Sequence, residues 1–330
     1  MRNRNWNRQY RFEATTSDGT GFVIGPNKAV DGTTIHISFS FEKSKDYTFN
    51  RCSINLWNLC PEHIAVLDHR ECNVKLYAGY DDELAQLYQG VVLEMKTTIS
   101  GGDRQTTIEV ADTWGNSNTK NAYVSIAYRG NQNAKAVLED IAKRMDVPVL
   151  YSPSAEKSLR NASFAHSASF SGDCSYVIES IVNTCGLGYY VDNGSLNVFK
   201  EGEAMKTYAT EMSNAKGLIG IPEREYKSES TSYENNQNTH AHEVYGYKIK
   251  YLMDGVLGLG DRIHLKTDYL DGYFHIYKIS VSGDNLSGDW NCTAHIVEDG
   301  KLPEDNGTTV LGNKDSSGNG GGYGNGVQKQ

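Results

Sequence analysis

At 330 residues the chain has room for two or three domains with cores of their own, and 38% apolar against 22% charged residues is lean but globular. A formal net charge of -9 argues against a surface built mainly to neutralise phosphates. No apolar run approaches the ~18 residues of a membrane span, and the arginines of residues 1–12 flank no apolar core of the kind a secretory leader needs, so the expectation is a chain made and kept soluble in the cytoplasm.

From residue 1 to about 112 the pattern is all-β. Ile35, Ile37, Phe39 and Phe41 alternate with His36, Ser38 and Ser40, which puts the apolar side chains on one face of a strand. Further strands are expected at 52–59, 73–78, 87–99 and 106–111, and Pro61 can open a short helix carrying Ile64 and Leu67 on one side. The period then changes. Ala134, Val137, Leu138, Ile141 and Met145 recur at three and four, marking a helix that Pro148 ends, and a second helix over 174–185 carries Val177, Ile178, Ile181 and Val182 and stops at Gly186. Asn193-Gly194 between Val191 and Leu196 signals a hairpin. Residues 113–204 are therefore read as a small α+β domain. Strands return at 218–221, 244–252, 262–266, 273–283 and 289–297 in a second β domain, residues 205–298, whose polar stretch near 223–243 is a long loop or an extended hairpin. Residues 299–330 are rich in Gly and Asn, lack a core-forming set, and read as a flexible tail.

The two β domains share a pattern. Val74-Lys75-Leu76, Leu87-Tyr88-Gln89 and the stretch from Gly102-Asp103 to Val110 answer to Ile263-His264-Leu265, Ile276-Tyr277-Lys278 and the stretch from Gly288-Asp289 to Ile296, with the same Leu-to-Tyr spacing in both copies. A duplicated strand, hairpin and strand unit would give a ring with internal pseudo-symmetry, with Tyr88 superposing on Tyr277 and Gly102 on Gly288. The alternative is two unrelated hairpins that share turn chemistry.

Chemistry-bearing patterns are few. No GxSxG, Walker A, GxGxxG, HExxH or EF-hand motif occurs in the sequence. His240 and His242 could face one way from a strand, but polar neighbours favour a solvated loop. Asp81, Asp82 and Glu83 read as a solvated turn, and Asp103 and Asp289, at matching places in the two copies, as turn formers. Cys52, Cys60, Cys72, Cys174, Cys185 and Cys292 form no CxxC pair and read as small buried apolar residues in a reducing compartment. Arg2, Arg4, Trp6, Arg8, Tyr10 and Arg11 make a basic, aromatic arm expected to lie across an acidic neighbouring subunit rather than on nucleic acid. No cofactor or metal is expected, and the chain reads as a building block rather than an enzyme.

The order of these domains, with Ile35-His36-Ile37-Ser38-Phe39-Ser40-Phe41, Leu56-Trp57-Asn58-Leu59, Leu76-Tyr77-Ala78-Gly79-Tyr80, Gly217-Leu218-Ile219-Gly220-Ile221-Pro222 and Gly283-Asp284-Asn285-Leu286-Ser287-Gly288-Asp289-Trp290, resembles the baseplate hub proteins of contractile-tailed bacteriophages, over about residues 1–298. The resemblance implies a mainly β fold with an α+β insert, in which two similar tube-type β-barrel domains flank a small α+β domain. It also implies a homotrimer that joins a hexameric tail tube to a trimeric central spike, contacts baseplate wedge or neighbouring tail proteins, and lets DNA pass without specific binding. Such a chain is synthesised in the bacterial host cytoplasm and ends in the virion, with no membrane insertion of its own. The rival readings are the hub part of a type VI secretion or other contractile injection spike and, from other classes, a tail-tip carbohydrate-binding protein or a cell-wall hydrolase.

Overall fold

A computed structural model of the protein describes residues 7–25, 34–45, 50–81, 83–112, 123–230, 241–298, 309–313 and 325–329. The fold is mainly β with an α+β insert. The chain divides into two compact units, residues 1–112 with 206–299, and residues 113–205 with 300–330.

The first β segment holds β1 (Arg8–Thr15), β2 (Gly21–Ile24), β3 (Ile37–Ser44), β4 (Arg51–Trp57), β5 (Asn73–Tyr80), β6 (Glu83–Ser100) and β7 (Asp103–Ala111), with the short helix α1 (Pro61–Leu67) between β4 and β5. Period-two alternation buries one face: Ile37, Ile54, Leu56, Leu76 and Ile108 are all fully buried. Strand β1 is the main departure from expectation. Tyr10, Phe12 and Ala14 alternate into the core at 2% exposure or less, and β1 pairs along its length with β5, so the chain from Arg8 onward is sheet and not an arm.

The insert contains β8 (Tyr123–Tyr128), β9 (Gln132–Asn133), α2 (Ala134–Arg144), β10 (Val149–Tyr151), α3 (Pro153–Asn161), β11 (Ala162–Phe164), β12 (Ala168–Asp173), α4 (Cys174–Thr184), β13 (Gly188–Asp192) and β14 (Ser195–Phe199). Helices α2 and α4 bury Val137, Leu138, Ile141, Val177, Ile178, Ile181 and Val182 in one core. Each helix start has a cap. The Asn133 side chain accepts from the Lys135 and Ala136 amides, Asp173 accepts from Ser175, and the buried Glu203 carboxylate reaches back across sequence to accept from Ser154 N–H at 3.1 Å in the first turn of α3.

The second β segment holds β15 (Ala209–Met212), β16 (Leu218–Ser230), β17 (Ala241–Leu252), β18 (Arg262–Lys266), β19 (Asp271–Asp284) and β20 (Trp290–Glu298). The polar stretch expected near 223–243 is strand at both ends: 223–230 in β16 pairs with β17 from Ala241 onward, while 231–240 lie outside the described residues. Ladder hydrogen bonds are made by the backbone, so a charged sequence can extend a hairpin that no apolar pattern announces. In the same way, where a tail without regular structure was expected, β21 (Thr309–Asn313) pairs parallel to β11 and β22 (Asn325–Lys329) pairs with β21. The rest of that segment lies outside the described residues.

The two β segments have one topology. Six strands of the first run β1-β5-β6-β7-β4-β3 across the sheet, and six of the second run β15-β18-β19-β20-β17-β16, the same spatial order from the same chain order. The strand contributed first is the exception in direction, since β1 is antiparallel to β5 whereas β15 is parallel to β18. Both long strands carry a bulge at the same place, between Val92 and Glu94 in β6 and between Ile276 and Lys278 in β19. Counting from the bulges, Gly102 falls on Gly288, Val74 on Ile263 and Leu76 on Leu265, as the sequence pattern suggested. The match of Tyr88 with Tyr277 does not hold. Leu76 pairs with Tyr88 but Leu265 pairs with Gly272, so the first hairpin is the longer and Leu93 is the counterpart of Tyr277. The two copies are also joined edge to edge, β3 to β19, within one 13-stranded sheet.

Candidate functional site

The two copies meet where β3 pairs with β19. Strand β3 runs against the second half of β19, from Ser38 opposite Asp284 to Ser44 opposite Lys278. Phe39, Phe41, Ile279 and Val281 point into the core, none more than 7% exposed. Gly283 faces Phe39, and a Cβ there would come within 2.3 Å of the phenyl ring, so the close approach requires glycine. Trp290, 4% exposed, sits edge-on to Phe39 at 5.5 Å between centroids and donates its indole N–H to the Gly79 carbonyl at 3.2 Å. Arg8 donates to the Asp284 and Gly288 carbonyls at 2.7 and 2.9 Å, fixing the β19–β20 turn to β1. Asn285 completes the clasp, accepting from Ile37 N–H at 2.9 Å and donating to the Ile35 carbonyl at 3.0 Å.

The outer face of the junction is polar. Lys278 Nζ lies 2.6 Å from the Glu42 carboxylate, and the His36 imidazole lies 3.1 Å from Asp284 while stacking on Trp57 at 3.8 Å. Burial pushes the Asp284 carboxyl up, but the Ser287 N–H, the His36 ring and the Leu286 N–H together hold it below its ordinary value of 3.8. A depressed carboxylate contributes stability that is complete above the unfolded value and lost as pH falls through the lower folded one. Asp284→Asn is therefore expected to flatten the acid side of the stability profile below about pH 4, read by denaturant titration at a series of pH values. An unchanged acid slope would show that the pair adds nothing at the junction.

The same two kinds of edge occur a second time and, among the described residues, are open. Strand β16, the counterpart of β3, ends the path of the sheet, and β5 pairs with β6 only as far as Val91. The stretch of β6 beyond that point exposes Leu93 (55%) and Ile99 (76%), and β16 exposes Ile219 (40%) and Ile221 (64%).

The remaining sequence candidates are dispersed. Arg2, Arg4, Trp6, Asp82 and His240 lie outside the described residues. Arg8 is spent on the junction, the buried Tyr10 donates to the Ile35 carbonyl at 2.7 Å, and Arg11 pairs with Glu13 at 2.8 Å and stacks over Tyr77 at 3.9 Å. These three do not form an exposed arm, because β1 is paired with β5 and each side chain has a partner within the sheet. His242 falls in β17. Asp81 occupies the left-handed region (φ 50°) two residues before Glu83, the first residue of β6, and Asp103 accepts from Asn58 at 3.0 Å. Asp289 accepts from Asn291 at 2.9 Å, again in a turn. Cys60 is exposed, in contrast to the buried reading, whereas burial pushes Cys72 up to about 11 and Cys292 to about 12, leaving both as thiols. Among the described residues, no group of three or more His, Cys, Asp and Glu could hold a metal, and no helix is long and apolar enough to cross a membrane. The junction residues Phe39, Gly283, Asn285 and Trp290 carry no signal as a set in the sequence, because their partners are about 240 residues away.

Comparison with solved structures places the fold among phage-tail proteins. The tail protein from Neisseria meningitidis MC58 matches with a TM-score of 0.55 at 10% identity, covering 89% of this chain and 98% of that one. The 43 kDa tail protein of prophage MuSo2 from Shewanella oneidensis matches with a TM-score of 0.54 at 7% identity, covering 88% and 98%. A chain of the Francisella PdpA-VgrG complex matches with a TM-score of 0.50 at 9% identity, covering 90% of this chain and 59% of that one. A sequence search against curated proteins finds no match. The family model described as baseplate hub gp41 matches residues 28–230, more than half of the chain, and the chain belongs to that family.

Proposed function

We propose that the protein is a structural baseplate hub that works as a homotrimeric symmetry adapter in the virion. Three chains bring six copies of the β repeat, a ring that fits a hexameric tail tube on one side and a trimeric spike on the other. The observation that carries this reading is the identical strand order of the two segments within one chain. The ring encloses part of the DNA channel. With a formal charge of -9 per chain it repels or ignores phosphate instead of binding it by counterion release. No catalytic step is assigned to it; the chain's work is to fit two symmetries together.

Mass measurement of the purified chain, alone and with its spike partner, tests the reading. Three copies per complex are expected, with duplex DNA washing through at low salt. A closed dimer or tetramer, or tight and steeply salt-dependent DNA retention, would overturn it.

A further inference from the structure

We propose that the open edge of β16 in one copy pairs antiparallel with the free half of β6, residues 94–100, in a second copy of this chain, in a register set by the chain's own internal junction. The hub reading supplies only the number of copies; the pairing itself rests on the repeat.

The two copies of the fold can be overlaid residue by residue through their ladders. The bulges put Glu94 on Lys278, Lys96 on Ser280 and Thr98 on Ser282. On the other strand, Leu56 and Tyr251 hold equivalent places, and so do Arg51 and Gly246, because they face Thr106 and Ala111 in one copy and Cys292 and Val297 in the other. The partners of Arg51 and Gly246 are Glu42 and Glu225, so Glu225 is the counterpart of Glu42. Within the chain, Ser44 faces Lys278, Glu42 faces Ser280 and Ser40 faces Ser282. Carried to the open edges, this register sets Lys227 opposite Glu94, Glu225 opposite Lys96 and Glu223 opposite Thr98.

Two features of the open edges agree with that register without having been used to derive it. It creates a cross-strand pair of opposite charge, Lys96 with Glu225, where like charges would have been unfavourable. It also covers apolar side chains. Leu93 is 55% exposed, whereas its counterpart Tyr277 in the filled junction is 9% exposed, and Ile99 comes opposite the stretch of β16 that carries the exposed Ile221. The contact joins different surfaces of the two partners, so it propagates head to tail and closes only as a ring. Closure removes the long bare edge that would otherwise recruit other strands.

The test uses the full chain with Cys60→Ser, so that the exposed native thiol is absent, at about 1 mM, where even a contact of weak affinity is populated. Thr98→Cys in one chain and Glu223→Cys in another are mixed and oxidised; Thr97→Cys with Arg224→Cys is the neighbouring pair, so that one of the two has the better Cβ spacing for a disulfide. The expected result is a reducible cross-linked dimer from the mixture and a ladder ending at three chains when both cysteines sit in one chain. Displacing one cysteine by four residues, Glu94→Cys with Glu223→Cys, is expected to lower the yield about tenfold, since that Cα separation exceeds disulfide reach. Lys96→Glu should weaken self-association about fivefold, whereas Lys96→Arg, which keeps the charge opposite Glu225, should leave it unchanged. A chain that stays monomeric, or a trimer that never cross-links in register, overturns the pairing, and the second of these leaves the hub reading standing. A ladder running past three chains keeps the pairing and removes the trimer.

Discussion

Replacing Trp290 by alanine is expected to lower the unfolding temperature of the larger unit by about 10 °C. The side chain is 4% exposed and fills the end of the β3–β19 junction, so truncation removes its transfer free energy and leaves a cavity, together about 3–5 kcal/mol. It also leaves the Gly79 carbonyl without the indole donor and takes away the ring beside Arg8. For a unit of this size each kcal/mol moves the midpoint by about 2–4 °C. Arg104, which holds the equivalent place in the first copy, is the control: in the isolated chain Arg104→Ala is expected to change stability by no more than about 0.5 kcal/mol, because among the described residues no strand of the same chain fills the edge beside it. Calorimetry of the two variants decides the point. Equal losses would mean that Trp290 acts only inside its own strand and not between the copies.

What could be read from the sequence follows from how local each signal is. Helices α2 and α4 were legible because Val137, Leu138 and Ile141, and Val177, Ile178, Ile181 and Val182, repeat at three and four within a single element. The strands with Ile37, Phe39 and Phe41 or with Val74 and Leu76 were legible for the same reason at period two. Strand β1 has that period as well, in Tyr10, Phe12 and Ala14, but the arginines around it gave the appearance of an arm laid on a neighbouring subunit; in the fold Arg11 lies on the other face with Glu13 and Tyr77, and Arg8 reaches the β19–β20 turn. The duplication was visible at its two ends and misaligned in the middle. A tyrosine lies at the same sequence distance in both copies, yet the hairpin between β5 and β6 is longer than that between β18 and β19, and only the ladders reveal the slip. The charged part of β16 was legible only as one of two alternatives, a long loop or an extended hairpin, and the ladder with β17 bears out the hairpin; edge strands are selected for backbone pairing and for charge rather than for an apolar face. The junction itself lay beyond any local pattern. Phe39 and Gly283 meet only because two hairpins of separate segments share an edge, and what the sequence displays is a phenylalanine in one strand and an isolated glycine in another.

That last pair gives the second large effect. Gly283→Ala is expected to destabilise the protein by about 1–3 kcal/mol, because the new methyl group would stand 2.3 Å from the Phe39 ring in a packed junction where neither strand can retreat without breaking its ladder. Phe39→Ala alone, at a site 2% exposed, should cost about 3–5 kcal/mol by leaving a cavity. Combined, the two substitutions fill the same space, the alanine methyl entering what the ring has vacated. The double variant should therefore be more stable than the sum of the single losses allows, by about 0.5–3 kcal/mol. Denaturant unfolding of the four proteins measures this coupling directly. Strict additivity would mean that Gly283 is needed for its own backbone and not for the approach of the ring, and the junction would then owe its closeness to the ladder alone.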